Sequence, residues 1–219
     1  MNVADFIERF RLEMADNAAP YLWSDEEIVA YLNDAVNEAC IRARLIEDST
    51  TPAVCMLTLT PGQSSYELHK AVFDIRRVTF NGKALGMSSV EAEDENDLTW
   101  ESRKGSEPLR VIVSGANRIR VVPEPTEPVS LKLTVYRTPI NELSSDADSA
   151  SPEIAAVYHP RLKDWVYRCA YLKHDAETFD ETSANDFEAR FDRSFGTRPD
   201  ANVVRKRRDR ALPVTRCNW

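Results

Sequence analysis

The sequence predicts an α+β protein: a four-helix bundle formed by N- and C-terminal helix pairs, an inserted antiparallel β region and an extended C-terminal tail. Three observations lead there. Apolar residues recur at helical spacing up to about residue 47 and again from about 151 to 196. Between these stretches the period shifts to that of strands, punctuated by turn signals. Beyond Gly196 the apolar period stops and basic residues accumulate. The expected division is residues 1–50 with 151–196 as the helical bundle, 51–150 as the β domain, and 197–219 as a basic arm.

Each element has its own signal. Val3, Phe6, Ile7, Phe10 and Met14 share one face, predicting a helix over 2–15 that residues 17–20 end. Ser24 and Glu27 form a capping box for a helix from Asp25 to about Glu47, with Trp23 and Ile28 at the staple positions. Its stripe runs Ile28, Leu32, Ala35, Val36, Ala39, Cys40, Ala43 and Ile46. Met56–Leu59 reads as a strand, Pro61-Gly62 as a turn and 73–80 as a longer strand. Asn81-Gly82 fits a two-residue type I′ turn, which needs positive φ at both positions. Strands at 109–113 and Arg118–Val122 flank a turn at 114–117, and Pro123, Pro125 and Pro128 stiffen the connection to 129–136. The β region should thus hold at least five strands, with the acidic run 91–97 as a solvated loop or short helix between them.

Helix is expected again after residue 150. Ser151 supplies a cap and Pro152 a first helical residue. Pro160 interrupts or kinks this helix, because it lacks a backbone donor. The stripe resumes through Leu162, Trp165, Val166, Cys169, Ala170 and Leu172. A final helix from about Ala176 carries Phe179, Ser183, Phe187, Phe191 and Phe195, with Gly196 as its C-terminal cap. Neither helix pair has enough apolar surface to close a core alone, so the pairs are expected to pack together.

Composition narrows the function classes. With 219 residues, 42% hydrophobic and 29% charged, the chain is in the globular range and can bury a core. No apolar run reaches the roughly 18–20 residues of a membrane span. Asp5, Glu8 and Arg9 inside the first apolar pattern do not suit a signal peptide. A soluble intracellular product is expected, with no membrane partner. Cys40, Cys55, Cys169 and Cys217 lack CxxC spacing, and Cys40 and Cys169 fall in apolar stripes as buried thiols.

Motifs for chemistry are missing from the sequence. None of His69, His159 and His174 follows an acid by three residues, so the ExxH unit of di-iron bundles is not present. There is no HExxH, GxSxG, GxGxxG or GxxxxGK[ST]. Carboxylate pairs such as Glu26 and Glu27 suit a helix N-terminus. No catalytic, cofactor-binding or metal-ligating residue is assigned, no cofactor is expected, and the chain does not read as an enzyme.

The charge is uneven. Residues 196–219 carry seven basic and two acidic side chains, a net of +5, against 21 basic and 34 acidic in the rest, a net of −13. A folded nucleic-acid reader carries its basic patch on the structured domain, which is the reverse of this arrangement. Fully extended, the 24 residues from Gly196 reach roughly 80 Å, against a radius of gyration of about 16 Å for the body. Three readings of this tail stand side by side. It is a solvated terminus, a non-specific nucleic-acid arm, or a docking arm whose apolar Leu212, Pro213, Val214 and Trp219 anchor on a partner.

At this point the residues resemble a known family. Trp23-Ser24-Asp25-Glu26-Glu27-Ile28-Val29-Ala30-Tyr31-Leu32-Asn33-Asp34-Ala35 looks like the opening helix of bacteriophage head-to-tail adaptor (connector) proteins. In the same order come Tyr66-Glu67-Leu68, Trp100, Gly105, Pro108, Pro123-Glu124-Pro125 and Tyr136-Arg137-Thr138-Pro139. Pro152-Glu153-Ile154, Tyr158-His159, Leu162, Ala184, Phe191 and Phe195 complete the match, which covers 5–196 and leaves the tail outside it. The resemblance implies a structural virion protein that forms a ring, expected to be twelvefold, at the head-tail neck. That ring would bind the portal on one side and the tail nozzle or tail tube protein on the other. Genome DNA would pass through without sequence-specific binding, and assembly would occur in the host cytoplasm. The arm would then contact the portal or a neighbouring subunit through Arg205, Lys206, Arg207, Arg208, Arg210, Leu212, Val214 and Trp219. The alternatives are another head-completion or tail-terminator protein, or a small DNA-binding or packaging protein acting through the basic tail.

Overall fold

A computed structural model describes residues 1–114, 117–175 and 178–203. Two helices open the chain, α1 (Val3–Glu13) and α2 (Asp25–Ala43). Strand β1 (Glu47–Asp48), the single turn α3 (Pro52–Cys55), and strands β2 (Met56–Leu59), β3 (Ser65–Glu67) and β4 (Val72–Phe80) follow. Next come β5 (Lys83–Ala84), β6 (Gly86–Ser88), α4 (Val90–Asn96), a 3-10 turn at Trp100–Ser102 and β7 (Lys104–Gly105). The remaining strands are β8 (Arg110–Ser114), β9 (Arg118–Val122), β10 (Glu124–Pro125) and β11 (Val129–Arg137). A 3-10 helix, Ala156–Arg161, leads into α5 (Lys163–Tyr171), and α6 (Glu181–Phe195) follows. These elements divide between two compact units, one of Met1–Ile46 with Arg137–Arg198 and one containing Glu47–Tyr136.

The helical unit starts from strong local caps. The Asn2 side chain accepts from the Asp5 amide at 2.8 Å and the Asp5 carboxylate accepts from the Asn2 amide at 3.1 Å, closing a capping box on α1. Ser24 and Glu27 do the same for α2, at 3.2 and 2.9 Å. Trp23 and Ile28 are both buried against the core, as a staple requires. Arg44, with φ 52°, stops α2 at Ala43, short of the Glu47 end that periodicity suggests. Between α1 and α2, buried Asp16 accepts from Arg11 at 2.8 Å and from the Leu22 amide at 3.0 Å, and Arg11 also pairs with Asp25. The core gathers Phe6, Phe10, Leu32, Val36, Cys40, Val166, Tyr167, Phe191 and Phe195. Burial pushes the Cys40 thiol up to about 12, so it is a packing group at neutral pH.

The molecule is not a four-helix bundle, and this corrects the expected fold class. It is a mixed α+β structure with eleven strands in three sheets among the described residues. The four longer helices span 11, 19, 9 and 15 residues, too unequal to line a common core along their length. The expected third helix does not begin at Pro152. With no backbone donor at Pro152 or Pro160, that stretch settles as loop and 3-10 turn, and α-helix starts only at Lys163. Irregular chain closes the core instead. Ile154 is buried in it, and Leu143 is pinned by Asn33 through two hydrogen bonds of 2.9 and 3.0 Å. The Val3 amide donates to the Ala150 carbonyl at 2.9 Å. Buried Arg137 pairs with Glu153, whose other oxygen accepts from the Ile140 amide at 3.0 Å, fastening the two ends of this irregular segment. The last helix starts at Glu181, capped by the Asp180 carboxylate, and Phe179 lies outside it, exposed and stacked on His174.

In the β unit the order of the largest sheet is β1-β11-β4-β5, with β2 also on β11. Asn81 and Gly82 take φ 48° and 78°, and Phe80 pairs with Lys83 across the two-residue turn. A second sheet runs β3-β9-β8-β6, and a third pairs β10 with β7. The β6/β8 and β10/β7 ladders are parallel, so the region is not wholly antiparallel as expected. The Tyr66 hydroxyl donates to the Gln63 carbonyl at 2.5 Å and accepts from the Thr60 amide at 3.0 Å, fixing the turn around Gly62. Trp100 packs on Ile112 and Val122, and its indole donates to Asp94 at 2.7 Å. The acidic run is α4 rather than a loop, and one of its acids is not solvated. Glu93, 1% exposed, accepts from Ser88 at 2.6 Å and meets Arg110 at 2.8 Å.

Two substitutions test this packing. A β-carbon on Gly105 would lie 2.8 Å from the Pro123 ring, so Gly105→Ala should cost about 1–3 kcal/mol in a urea titration. Arg42, its side chain 3% exposed, bonds Glu38 at 2.9 Å and also pairs with Asp192. Arg42→Ala should cost about 3–5 kcal/mol, because it leaves buried Glu38 with only the long 3.7 Å contact to Arg198.

Candidate functional site

Arg205, Lys206, Arg207, Arg208, Arg210, Leu212, Val214 and Trp219, the residues that sequence assigns to docking, lie outside the described residues. The root of the arm is described, and it is fastened to the helical unit. The Gly196 carbonyl accepts from Arg42 at 3.3 Å, and Arg198 reaches Glu38 at 3.7 Å.

A groove of about 840 Å³ opens on the helical unit. Arg9 comes from α1, and Val157, Tyr158, Pro160 and Arg161 from the 3-10 helix. Lys163 and Asp164 open α5, and Arg190, Arg193 and Ser194 belong to the last turns of α6. Five cations therefore line it against a single lining carboxylate, on a chain whose formal charge is −8. The cations are of two kinds. Arg9 and Lys163 are committed to Glu13, at 2.6 and 2.9 Å. Arg161, Arg190 and Arg193 are exposed and form no ion pair among the described residues. The Arg190 guanidinium lies 4.8 Å over the Phe187 ring, a cation–π contact that leaves it without a carboxylate partner among the described residues.

Two carboxylates beside the groove respond to it oppositely. Burial raises the Glu13 carboxyl, but bonds from Arg9, Lys163 and the Tyr167 hydroxyl outweigh it and hold the group down at about 2. Asp164 is 8% exposed, and burial raises its carboxyl although Lys163, Arg190, Arg161 and Arg193 pull the other way. The arrangement is an anion-seeking surface with an apolar lip, since Val157 is 74% exposed. Among the described residues no group of three His, Cys, Asp or Glu side chains is placed to hold a metal. No helix there is long and apolar enough to cross a membrane.

Sequence reasoning missed this groove. Its cations are drawn from three short stretches far apart in the sequence, at residue 9, 161–163 and 190–193. The one local sign is the pair Arg190 and Arg193, three apart on one helix face.

A family model for the SU10 adaptor protein matches residues 1–216. The chain belongs to the SU10 adaptor protein family. This is a family of phage head-to-tail adaptors, and the chain is accordingly a structural phage protein that works among other virion components. Comparison with curated proteins gives no match. The match reaches past the 196 limit of the sequence resemblance, so the SU10 adaptor pattern takes in most of the arm, including Arg205 to Arg210, Leu212 and Val214. Trp219 lies beyond it.

The opposed shifts of Glu13 and Asp164 predict opposite pH behaviour. A lowered carboxyl gives stability that is full above its ordinary 4.5 and lost as pH falls toward about 2. Glu13→Gln should therefore melt below wild type at pH 7, and the gap should narrow on acidification through that window. A raised carboxyl is penalised at neutral pH, and the penalty vanishes once it protonates. Asp164→Asn should melt above wild type at pH 7, with the advantage fading as pH falls. Thermal unfolding by circular dichroism between pH 3 and 7 reads both.

Proposed function

We infer that this SU10 adaptor assembles into a ring, expected to be twelvefold, that joins the portal to the tail nozzle or tail tube and continues the DNA channel. The observation that carries the reading is the family match over nearly the whole chain, arm included. Several features support it. A ring built from one chain needs two dissimilar patches on each copy, and the helical unit bears a basic groove while the chain as a whole is acidic. A net negative body suits a channel that must not hold passing DNA, because phosphate is repelled rather than bound.

The arm, 197–219, is the portal-docking element in this reading, with Arg205, Lys206, Arg207, Arg208 and Arg210 pairing acids on the partner. Leu212, Val214 and Trp219 bury against it. Its root at Gly196 and Arg198 is held by Arg42 and Glu38, so the arm departs from a fixed point of the helical unit.

Deleting 197–219 should leave a folded protein that no longer joins portal-bearing heads, read by co-sedimentation with heads and by cryo-electron microscopy of the complex. Normal attachment of the truncated chain would refute the role of the arm. Strong, salt-sensitive binding of the intact chain to duplex DNA, with no portal complex, would replace the adaptor reading by the DNA-binding one.

A further inference from the structure

The basic groove has a complement elsewhere on the same chain. Helix α4 carries Glu91, Asp94 and Glu95, all exposed. Its one buried acid is already used, Glu93 on Ser88 and Arg110, and Asp97 just past the helix meets Arg103 at 2.7 Å. Asp94 accepts from the Trp100 indole. Glu91 and Glu95, four apart and therefore on one helix face, form no ion pair among the described residues. Beside them stand apolar side chains that the β unit leaves in solvent, Val90 at 43% and Leu98 at 85% exposed. The groove presents the matching set, with outward Arg161, Arg190 and Arg193 next to the exposed Val157.

We propose that the groove of one subunit receives α4 of the neighbouring subunit, with Arg161, Arg190 and Arg193 against Glu91 and Glu95 and Val157 against Leu98. The contact rests on the ring reading above and supplies what that reading requires, a heterologous interface between unlike patches. A helix face with acids four apart meets cations three apart, and the apolar residues at the edge exclude water from the pairs. The contact is modest in strength. Exposed ion pairs are screened over a Debye length of roughly 8 Å at physiological salt, and the acidic bodies of two copies repel each other. Copies therefore associate when the portal concentrates and orients them.

Charge exchange tests the pairing on the full chain mixed with its portal. The groove variant Arg161→Glu with Arg190→Glu and Arg193→Glu should raise the concentration for half-maximal ring assembly on the order of tenfold. Glu91→Arg with Glu95→Arg should do the same. The two sets combined in one chain should restore assembly toward wild type. Ring formation is read by native mass spectrometry and cryo-electron microscopy, with thermal unfolding as the check that each variant folds. If the triple glutamate variant does not fold, Arg161→Gln with Arg190→Gln and Arg193→Gln is read in its place.

Wild-type rings that the groove variants leave unchanged would overturn this contact while sparing the ring reading. The same holds if the combined exchange fails to restore assembly. No ring from wild type on the portal would overturn the ring reading itself. Loss of duplex-DNA binding in the groove variants, with assembly intact, would assign the groove to phosphate and overturn the subunit contact.

Discussion

The helical unit depends on one buried cation. Arg42, near the end of α2, is held between Glu38 on its own helix and Asp192 on α6, and its guanidinium faces the Trp165 ring of α5 at 4.9 Å and the Phe191 ring at 5.1 Å. Three helices thus meet on one planar group that can bond along its edges and stack on its face. A guanidinium this buried carries a desolvation cost, and the carboxylates and rings offset it only while all three helices keep their places. The same side chain bonds the Gly196 carbonyl, so the arm begins where the packing is most constrained. Burial of Glu38, which would be unfavourable alone, follows from Arg42 and from Arg198 beyond it.

Charge segregation is the second organising fact. The chain is acidic overall, yet its helices collect Arg9, Arg161, Lys163, Arg190 and Arg193 around one groove, and its arm collects five more cations between 205 and 210. Glu13 neutralises part of the groove and is itself held ionised by that task. What stays unpaired is directed outward from α6 and the turn before α5. An SU10 adaptor works among other virion components, and complementary charge favours specificity over non-specific adhesion.

The residues of the family resemblance prove to be places where the backbone is difficult to replace. Gly105 admits the Pro123 ring, Tyr66 pins the Gly62 turn, Trp100 joins α4 to the second sheet, and Arg137 meets Glu153. Their order along the chain could be read without the structure because each is a distinctive residue at a turn or junction. Their contacts could not, since each partner lies from 3 to 18 residues away on an irregular path.

Sequence by itself determined elements whose cause is local: the Ser24–Glu27 capping box, the Trp23 staple, the Asn81-Gly82 turn, the long strands β4 and β11, and the glycine that ends α6. It also determined the family, and the chemistry of the arm. Only the tertiary structure decided that the helices are not a bundle. Local rules allow Pro152 at a helix start and let Pro160 merely interrupt the run, so the sequence left a helix open there. In the fold the stretch is loop and 3-10 turn, with Ile154 buried in the core. The short strands at β1, β5, β7 and β10 were likewise decided by pairing, because two residues carry no period. The groove belongs to the same class: periodicity describes one helix face at a time, and a surface shared by α1, α5 and α6 exists only once they pack.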